Sequence, residues 1–187
     1  MAVVARDPKL VLVGGGARSG KSRFALAHAR RLGARRVLVA TAEALDDEMR
    51  DRIARHRVDR GDAFRTVEEP RALAAALEGI ADADVVVIDC LTLWLSNHLC
   101  AGADPVSIEG EVDRLLDVIV ARPFVTVAVA NEVGMGVVPE SPLGRVFRDL
   151  AGRANQRFAA RAGEVYLAAL GSVLRLVPGP VTCVESA

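Results

Sequence analysis

The sequence predicts a doubly wound α/β fold: a mainly parallel sheet with helices on both faces, in one domain over residues 1–187. Three features point to it. Short apolar runs at 10–13, 36–40, 84–88, 124–130 and 165–170 recur along the chain, and an apolar run without polar alternation is the mark of a strand buried on both faces. Between the runs lie segments with apolar residues at helical spacing, so strands and helices alternate as in parallel βαβ units. The first run then breaks into Gly14-Gly15-Gly16 ahead of a helix-forming segment, at the kind of strand end where open α/β sheets take ligands.

Composition supports one well-filled domain. A chain of 187 residues can bury about 70% of its unfolded surface, and its 51% hydrophobic residues supply the material. The 24 basic residues balance the 24 acidic ones. No overall field therefore draws nucleic acid or a membrane surface, and an anion has to be captured locally. Cys90, Cys100 and Cys183 show neither C-x-x-C nor metal-ligand spacing, and their odd number argues against a disulfide framework. No apolar run approaches the roughly 20 residues of a membrane-spanning helix, and residues 1–8 lack a signal-peptide pattern. A cytoplasmic protein is expected.

The central motif is Gly15-Gly16-Ala17-Arg18-Ser19-Gly20-Lys21-Ser22. It satisfies G-x-x-x-x-G-K-S between a strand and a helix, the P-loop pattern in its confirming context. Glycines let several backbone N–H groups converge on one phosphate, and the following helix adds its N-terminal dipole. Lys21 is expected at the β/γ-phosphates and Ser22 at Mg²⁺. Lys9 and Lys21 are the only lysines among 24 basic residues, so a rare compact ammonium stands where a point charge is wanted.

The helix opened by the motif spans Ser22 to Leu32 and stops at Gly33. Arg36 to Ala40 forms a buried strand, with Thr41-Ala42-Glu43 at its carboxyl end. A helix is expected from about Asp46, with acidic residues in its first turn and arginines further on, complementing its dipole. Phe64 to Val67 reads as a short strand and Arg71 to Ile80 as a helix. Asp84 to Ile88 is the clearest strand. It closes on Asp89, and a carboxylate there, downstream of a P-loop, is the Walker B arrangement for Mg²⁺. Without the P-loop, Asp89 would read as a turn residue. Leu91 to Cys100 and Ile108 to Val120 are helices, followed by a strand from Phe124 to Ala130. The glycine-bearing loop from Asn131 to Pro142 is long enough to suggest function rather than mere connection. Leu143 to Arg161 is a long helix, and Val165 to Leu170 the last strand.

His28 and His98 read as helix-surface or core residues. His56 differs, because Arg52, Arg55, Arg57 and Arg60 surround it in sequence. Like charge disfavours imidazolium, which would leave a neutral, nucleophilic ring beside groups able to hold a phosphate. On the residues alone, a solvated arginine-rich helix face is the simpler reading.

Taken together, the P-loop, Asp46-Asp47-Glu48-Met49, Arg52-Ile53, the block from Asn131 to Glu140 (Asn-Glu-Val-Gly-Met-Gly-Val-Val-Pro-Glu) and Arg148-Asp149-Leu150-Ala151-Gly152-Arg153-Ala154-Asn155-Gln156 resemble the bifunctional adenosylcobinamide kinase/adenosylcobinamide-phosphate guanylyltransferase family of cobalamin biosynthesis. The resemblance covers about residues 9 to 170. It implies two reactions: phosphorylation of adenosylcobinamide by ATP or GTP, and transfer of GMP from GTP to the phosphate product. It implies a GMP-histidine intermediate on His56, and nucleotide contacts at Gly15 through Ser22, at Thr41, Ala42 and Glu43, at Arg57, Val58, Asp59 and Arg60, at Glu68 and at Asp89. A carboxylate at Glu68 could accept from both N1–H and the 2-amino group of guanine. Mg²⁺ on Ser22 and Asp89, a corrinoid substrate and a homo-oligomer, a trimer, are implied as well. Arg60-Gly61-Asp62-Ala63-Phe64 departs from the family's usual Arg-Pro and Trp. The residues alone leave two rivals: a P-loop kinase of another small alcohol, and a nucleotide-dependent switch protein.

Overall fold

The computed structural model describes residues 6–43 and 63–185. The helix expected from Asp46 lies outside them. In chain order the described elements are β1 (Asp7–Gly15), α1 (Lys21–Leu32), β2 (Arg36–Ala40), β3 (Arg65–Glu68), α2 (Leu73–Glu78), β4 (Val85–Asp89) and α3 (Leu91–Cys100). There follow α4 (Pro105–Ala121), β5 (Val125–Asn131), α5 (Pro142–Arg161), β6 (Ala162–Ala169), β7 (Ser172–Val177) and β8 (Thr182–Glu185).

The strands form one eight-stranded sheet in the order β3-β2-β4-β5-β1-β6-β7-β8. Its first six members are parallel, so their carboxyl ends share one edge. Each parallel strand sends alternate residues to opposite faces. Leu10, Leu12, Val86 and Ile88 pack under α2, α3, α4 and α5, while Val11, Val13, Val85 and Val87 pack under α1. Both faces are covered, as the apolar runs require, but unequally among the described residues. Phe64, ahead of β3, belongs to the α1 side and is buried, with the Arg30 guanidinium 5.6 Å from its ring centre.

Two differences from the expected elements have local causes. The helix expected from Ile108 begins at Pro105, because Asp104 accepts hydrogen bonds from the Val106 and Ser107 N–H groups, both at 3.0 Å, and proline suits the first helical position. The sheet does not end with the strand at 165–170. It begins that strand at Ala162, then turns at Leu170 and Gly171, both with positive φ (52° and 79°), into antiparallel β7 and β8. Positive φ at both central residues is what a tight hairpin turn of matching twist requires. Leu170 faces solvent there.

Helices α4 and α5 run parallel, each leading into a parallel strand, and an ion-pair ladder joins them. Arg153 reaches Glu109 at 2.8 Å, Arg157 reaches Asp113 at 3.2 Å, and Arg161 reaches Asp117 at 3.2 Å. Both partners advance by four residues per rung, one helical turn. Exposed pairs of this kind contribute roughly 0.2–1 kcal/mol each.

Gly33 ends α1 for a reason other than conformational freedom, since its φ of 175° is ordinary extended backbone. A Cβ on Gly33 would lie 2.2 Å from the Cβ of Asp84. Asp84 is fixed there: it accepts from the Ala34 and Arg35 N–H groups at 3.0 and 2.9 Å and pairs with the Arg35 guanidinium. These contacts hold its carboxyl at a pKa of about 2, the Arg35 side chain being the main cause. Gly33→Ala is therefore expected to lower stability by about 1–3 kcal/mol through overpacking, read as a lower urea midpoint at unchanged slope.

Candidate functional site

The residues singled out by sequence fall largely on one edge of the sheet. Gly15 is level with Asn131 on β5, Asp89 with Val129 on β5, and Ala40 lies between Asp89 and Glu68. These are all carboxyl ends of parallel strands, where backbone groups emerge from the ladder.

The loop between β1 and α1 depends on its glycines. Gly15 has φ +156° and Gly20 φ +89°, conformations glycine adopts without a Cβ penalty. A Cβ on Gly15 would also lie 2.5 Å from the Ala168 carbonyl oxygen and 2.7 Å from Ser19 Oγ. Gly20 occupies the N-cap of α1, which has no side-chain cap, so the first-turn N–H groups are presented to an incoming anion. Lys21 is buried, and its Nζ donates to the Gly16 carbonyl at 3.1 Å, folding the ammonium over the loop. Ser22 Oγ donates to Asp89 Oδ1 at 3.4 Å. A hydroxyl and a carboxylate thus meet across β5, from α1 and from the end of β4.

Thr41 is fully buried. Its Oγ1 accepts from the Cys90 N–H and donates to the Cys90 carbonyl, both at 2.8 Å. Its own N–H donates to the Asp89 carbonyl at 3.1 Å. The threonine is a strut that fixes the end of β2 to the end of β4 and so holds Asp89 in place. Ala42 and Glu43 follow it at the edge, both half-buried, with Glu43 Oε1 3.9 Å from Arg71 Nη2. Glu68 is the last residue of β3. His56, Arg57, Val58, Asp59 and Arg60 lie outside the described residues.

Helix α3 braces this edge through residues that the sequence did not mark. Asn97 Nδ2 donates to the Thr41 carbonyl at 2.8 Å and to the Pro70 carbonyl at 3.0 Å. Trp94 Nε1 donates to the Arg71 carbonyl at 2.7 Å, and His98 Nε2 lies 3.2 Å from the same oxygen. Trp94, Asn97 and His98 are neighbours on a helix surface by their spacing, and this was the available signal. His28 is partly buried at the margin of the core, stacked on Phe24 and tilted against Tyr166, and burial pushes its pKa down.

The donor chemistry suits a hard cation. Among the described residues, no three His, Cys, Asp or Glu side chains gather as a metal cage. One hydroxyl and one carboxylate are the kind of sparse oxygen set that Mg²⁺ uses when phosphates and water complete its shell. No helix among the described residues is long and apolar enough to cross a membrane.

Residues 11–176 match the model of a family described as cobinamide kinase / cobinamide phosphate guanyltransferase. The chain is 47% identical over 139 residues to the bifunctional adenosylcobalamin biosynthesis protein CobP of Pseudomonas aeruginosa, covering 74% of this chain and 80% of that one. It is 42% identical over 157 residues to the bifunctional adenosylcobalamin biosynthesis protein CobU of Salmonella typhimurium, covering 75% and 84%. Among solved structures, the flagellar accessory protein FlaH from Methanocaldococcus jannaschii superposes with a TM-score of 0.53 at 13% identity, over 97% of this chain and 80% of that one. The RadB recombinase does so with 0.51 at 16%, over 96% and 82%. These last two likenesses concern the fold alone.

The strut beside Asp89 makes a prediction about thiols. Burial pushes the Cys90 thiol up to about 11, whereas Cys100 and Cys183 are exposed. Titration of the native protein with a disulfide reagent at pH 8 is expected to modify Cys100 and Cys183 promptly. Cys90 is expected to react only after denaturation, since the thiolate is the nucleophile.

Proposed function

The chain belongs to the cobinamide kinase / cobinamide phosphate guanyltransferase family, and from that premise we propose that it carries out both reactions on one nucleotide edge. It phosphorylates the hydroxyl of adenosylcobinamide with ATP or GTP. It then joins GMP from GTP to that phosphate, giving adenosylcobinamide-GDP and pyrophosphate. The observation that supports this most directly is the meeting of Lys21, Ser22 and Asp89 at the glycine loop.

In the kinase step the loop N–H groups and the Lys21 ammonium take the triphosphate, and positioning plus charge stabilisation does most of the work, as is general for phosphoryl transfer. Ser22 and Asp89 would hold Mg²⁺, which when bound neutralises charge on the phosphate oxygens. Thr41 keeps Asp89 aligned through the backbone of Cys90. Ala42 and Glu43 line the same edge. In the guanylyl step His56 attacks the α-phosphorus of GTP: a P–N bond forms, the α–β bridging bond breaks, and its electron pair leaves with pyrophosphate. The corrinoid phosphate oxygen then displaces the histidine. Arg57, Val58, Asp59 and Arg60 contact the nucleotide beside His56, and Glu68 reads guanine through N1–H and the 2-amino group. The enzyme is taken to be a cytoplasmic homo-oligomer, a trimer, with no nucleic-acid partner.

Two experiments test this reading. Asp89→Asn keeps size and polarity while removing charge, so the Mg²⁺ concentration for half-maximal phosphorylation is expected to rise by about tenfold or more. An unchanged Mg²⁺ titration would reduce Asp89 to a strand-end residue. GTP labelled at the α-phosphorus is expected to label the wild-type protein through an acid-labile, base-stable bond. His56→Asn should abolish that label and guanylyl transfer while phosphorylation continues, because direct transfer to a hydroxyl needs no covalent enzyme intermediate. Label persisting on His56→Asn would move the nucleophile elsewhere. A wild-type protein that phosphorylates but never labels would be a simple kinase.

A further inference from the structure

Strands β1 and β5 are neighbours, yet their connections leave in opposite directions. Helix α1, after β1, covers one face of the sheet, and α5, after β5, covers the other. Such a reversal opens a crevice at the carboxyl ends of the two strands, where ligands of open α/β sheets bind. The glycine loop of Gly15 to Gly20 is one wall. The other is the segment from Asn131 to Ser141, for which the nucleotide has no evident need.

This second wall is anchored at its root. The Glu132 N–H donates to the Gly15 carbonyl at 3.0 Å, the Asn131 N–H to Thr92 Oγ1 at 2.6 Å, and Asn155 Nδ2 to the Asn131 carbonyl at 3.3 Å. Its far end is tied as well, by Arg145 Nη1 to the Pro139 and Glu140 carbonyls and by the Ser141 cap of α5. Between these ties Val133 packs inward on the core, while Met135, Val137 and Val138 face outward at 80%, 94% and 58% exposure. Leu143, on the first turn of α5, adds another 56% exposed apolar group. A patch of this kind on an anchored loop marks a binding surface. Glu132 stands at the junction of the two walls, half-buried, with Oε1 accepting the Gly134 N–H at 2.7 Å. A carboxylate has further acceptor capacity beyond that one bond.

We infer that this second wall is the acceptor side of the site, with Glu132 receiving the hydroxyl of the corrinoid alcohol and Met135, Val137, Val138 and Leu143 receiving its bulky, largely apolar body. The inference rests on the function proposed above and deepens it. The occupant is the acceptor rather than a second copy of the chain, because the segment that carries the apolar groups is tied at its root to the phosphate loop, Glu132 to Gly15, and a hydroxyl must reach phosphorus there. Residues 133–138 also carry no charge, which suits a bulky, largely apolar ring better than the polyanionic phosphates of a second nucleotide. In the step itself the hydroxyl oxygen bonds to the γ-phosphorus and the β–γ bridging bond breaks. Its electron pair leaves with the nucleoside diphosphate, and the hydroxyl proton passes to Glu132.

Two variants test the assignment, with binding of a fluorescent GTP analogue, corrinoid phosphorylation and size-exclusion chromatography as readouts. Glu132→Gln is expected to lower kcat for phosphorylation by about 10²-fold, the usual loss of a proton acceptor, with the analogue's Kd unchanged. The double variant M135S/V137S is expected to raise KM for cobinamide about tenfold or more, with kcat and analogue binding unchanged. Full kcat in Glu132→Gln, or an unchanged KM in the double variant, overturns the inference. So does a smaller assembly in the double variant with normal KM, which would make the patch a contact between copies. A wild-type protein that binds the analogue yet phosphorylates no cobinamide refutes the proposed function itself, and with it this assignment.

Discussion

Everything at the functional edge depends on the burial of β1. The strand is paired on both sides, to β5 and to β6, and Leu10, Val11, Leu12 and Val13 are covered on both faces. Each such side chain removed from water contributes about 1.5–3 kcal/mol. A central strand with no free side must send its chain out at an end, and that exit is narrow. The close approach of Ala168 on β6 leaves no room for a Cβ at Gly15. Packing of the core and the shape of the phosphate loop are therefore one constraint seen from two ends.

A second consequence of the same sheet is that the groups meeting at its edge come from distant parts of the chain. Ser22 and Asp89 are 67 residues apart, and Thr41 and Cys90 are 49 apart. Parallel register sets their levels, since every strand end at the edge advances together. The side-chain bonds then refine what register has already placed, with Thr41 and Asn97 acting as cross-ties rather than as the source of the arrangement.

This explains which features were legible in the sequence. Strands buried on both faces announce themselves as apolar runs, so β2 was bounded to the residue and β4 and β5 to within one, whereas β1 runs past its apolar stretch to Asp7 and Gly15. The strands β7 and β8 are short, half-exposed and bounded by Gly171, Pro178 and Pro180, and antiparallel additions at a sheet edge leave no continuous apolar signature. The phosphate loop was legible because backbone geometry demands glycine at fixed positions. The bracing by Thr41, Trp94 and Asn97 was not, because a hydrogen bond between segments 23 or more residues apart writes no local pattern. His56 could be singled out only by its charged sequence neighbours and by family resemblance, both independent of where the fold puts it.

The ladder between α4 and α5 has a hidden translational symmetry. Acids at 109, 113 and 117 face arginines at 153, 157 and 161, with identical spacing on both helices. Sliding one helix past the other by a turn, about 5.4 Å, would re-form two rungs of three. The charges therefore specify which faces of these helices meet, but barely their alignment along the axis. Alignment falls to shape, to Leu150, Ala154 and Phe158 seated in the core without exposed area to spare. Electrostatics here works like a rail and packing like the stop upon it.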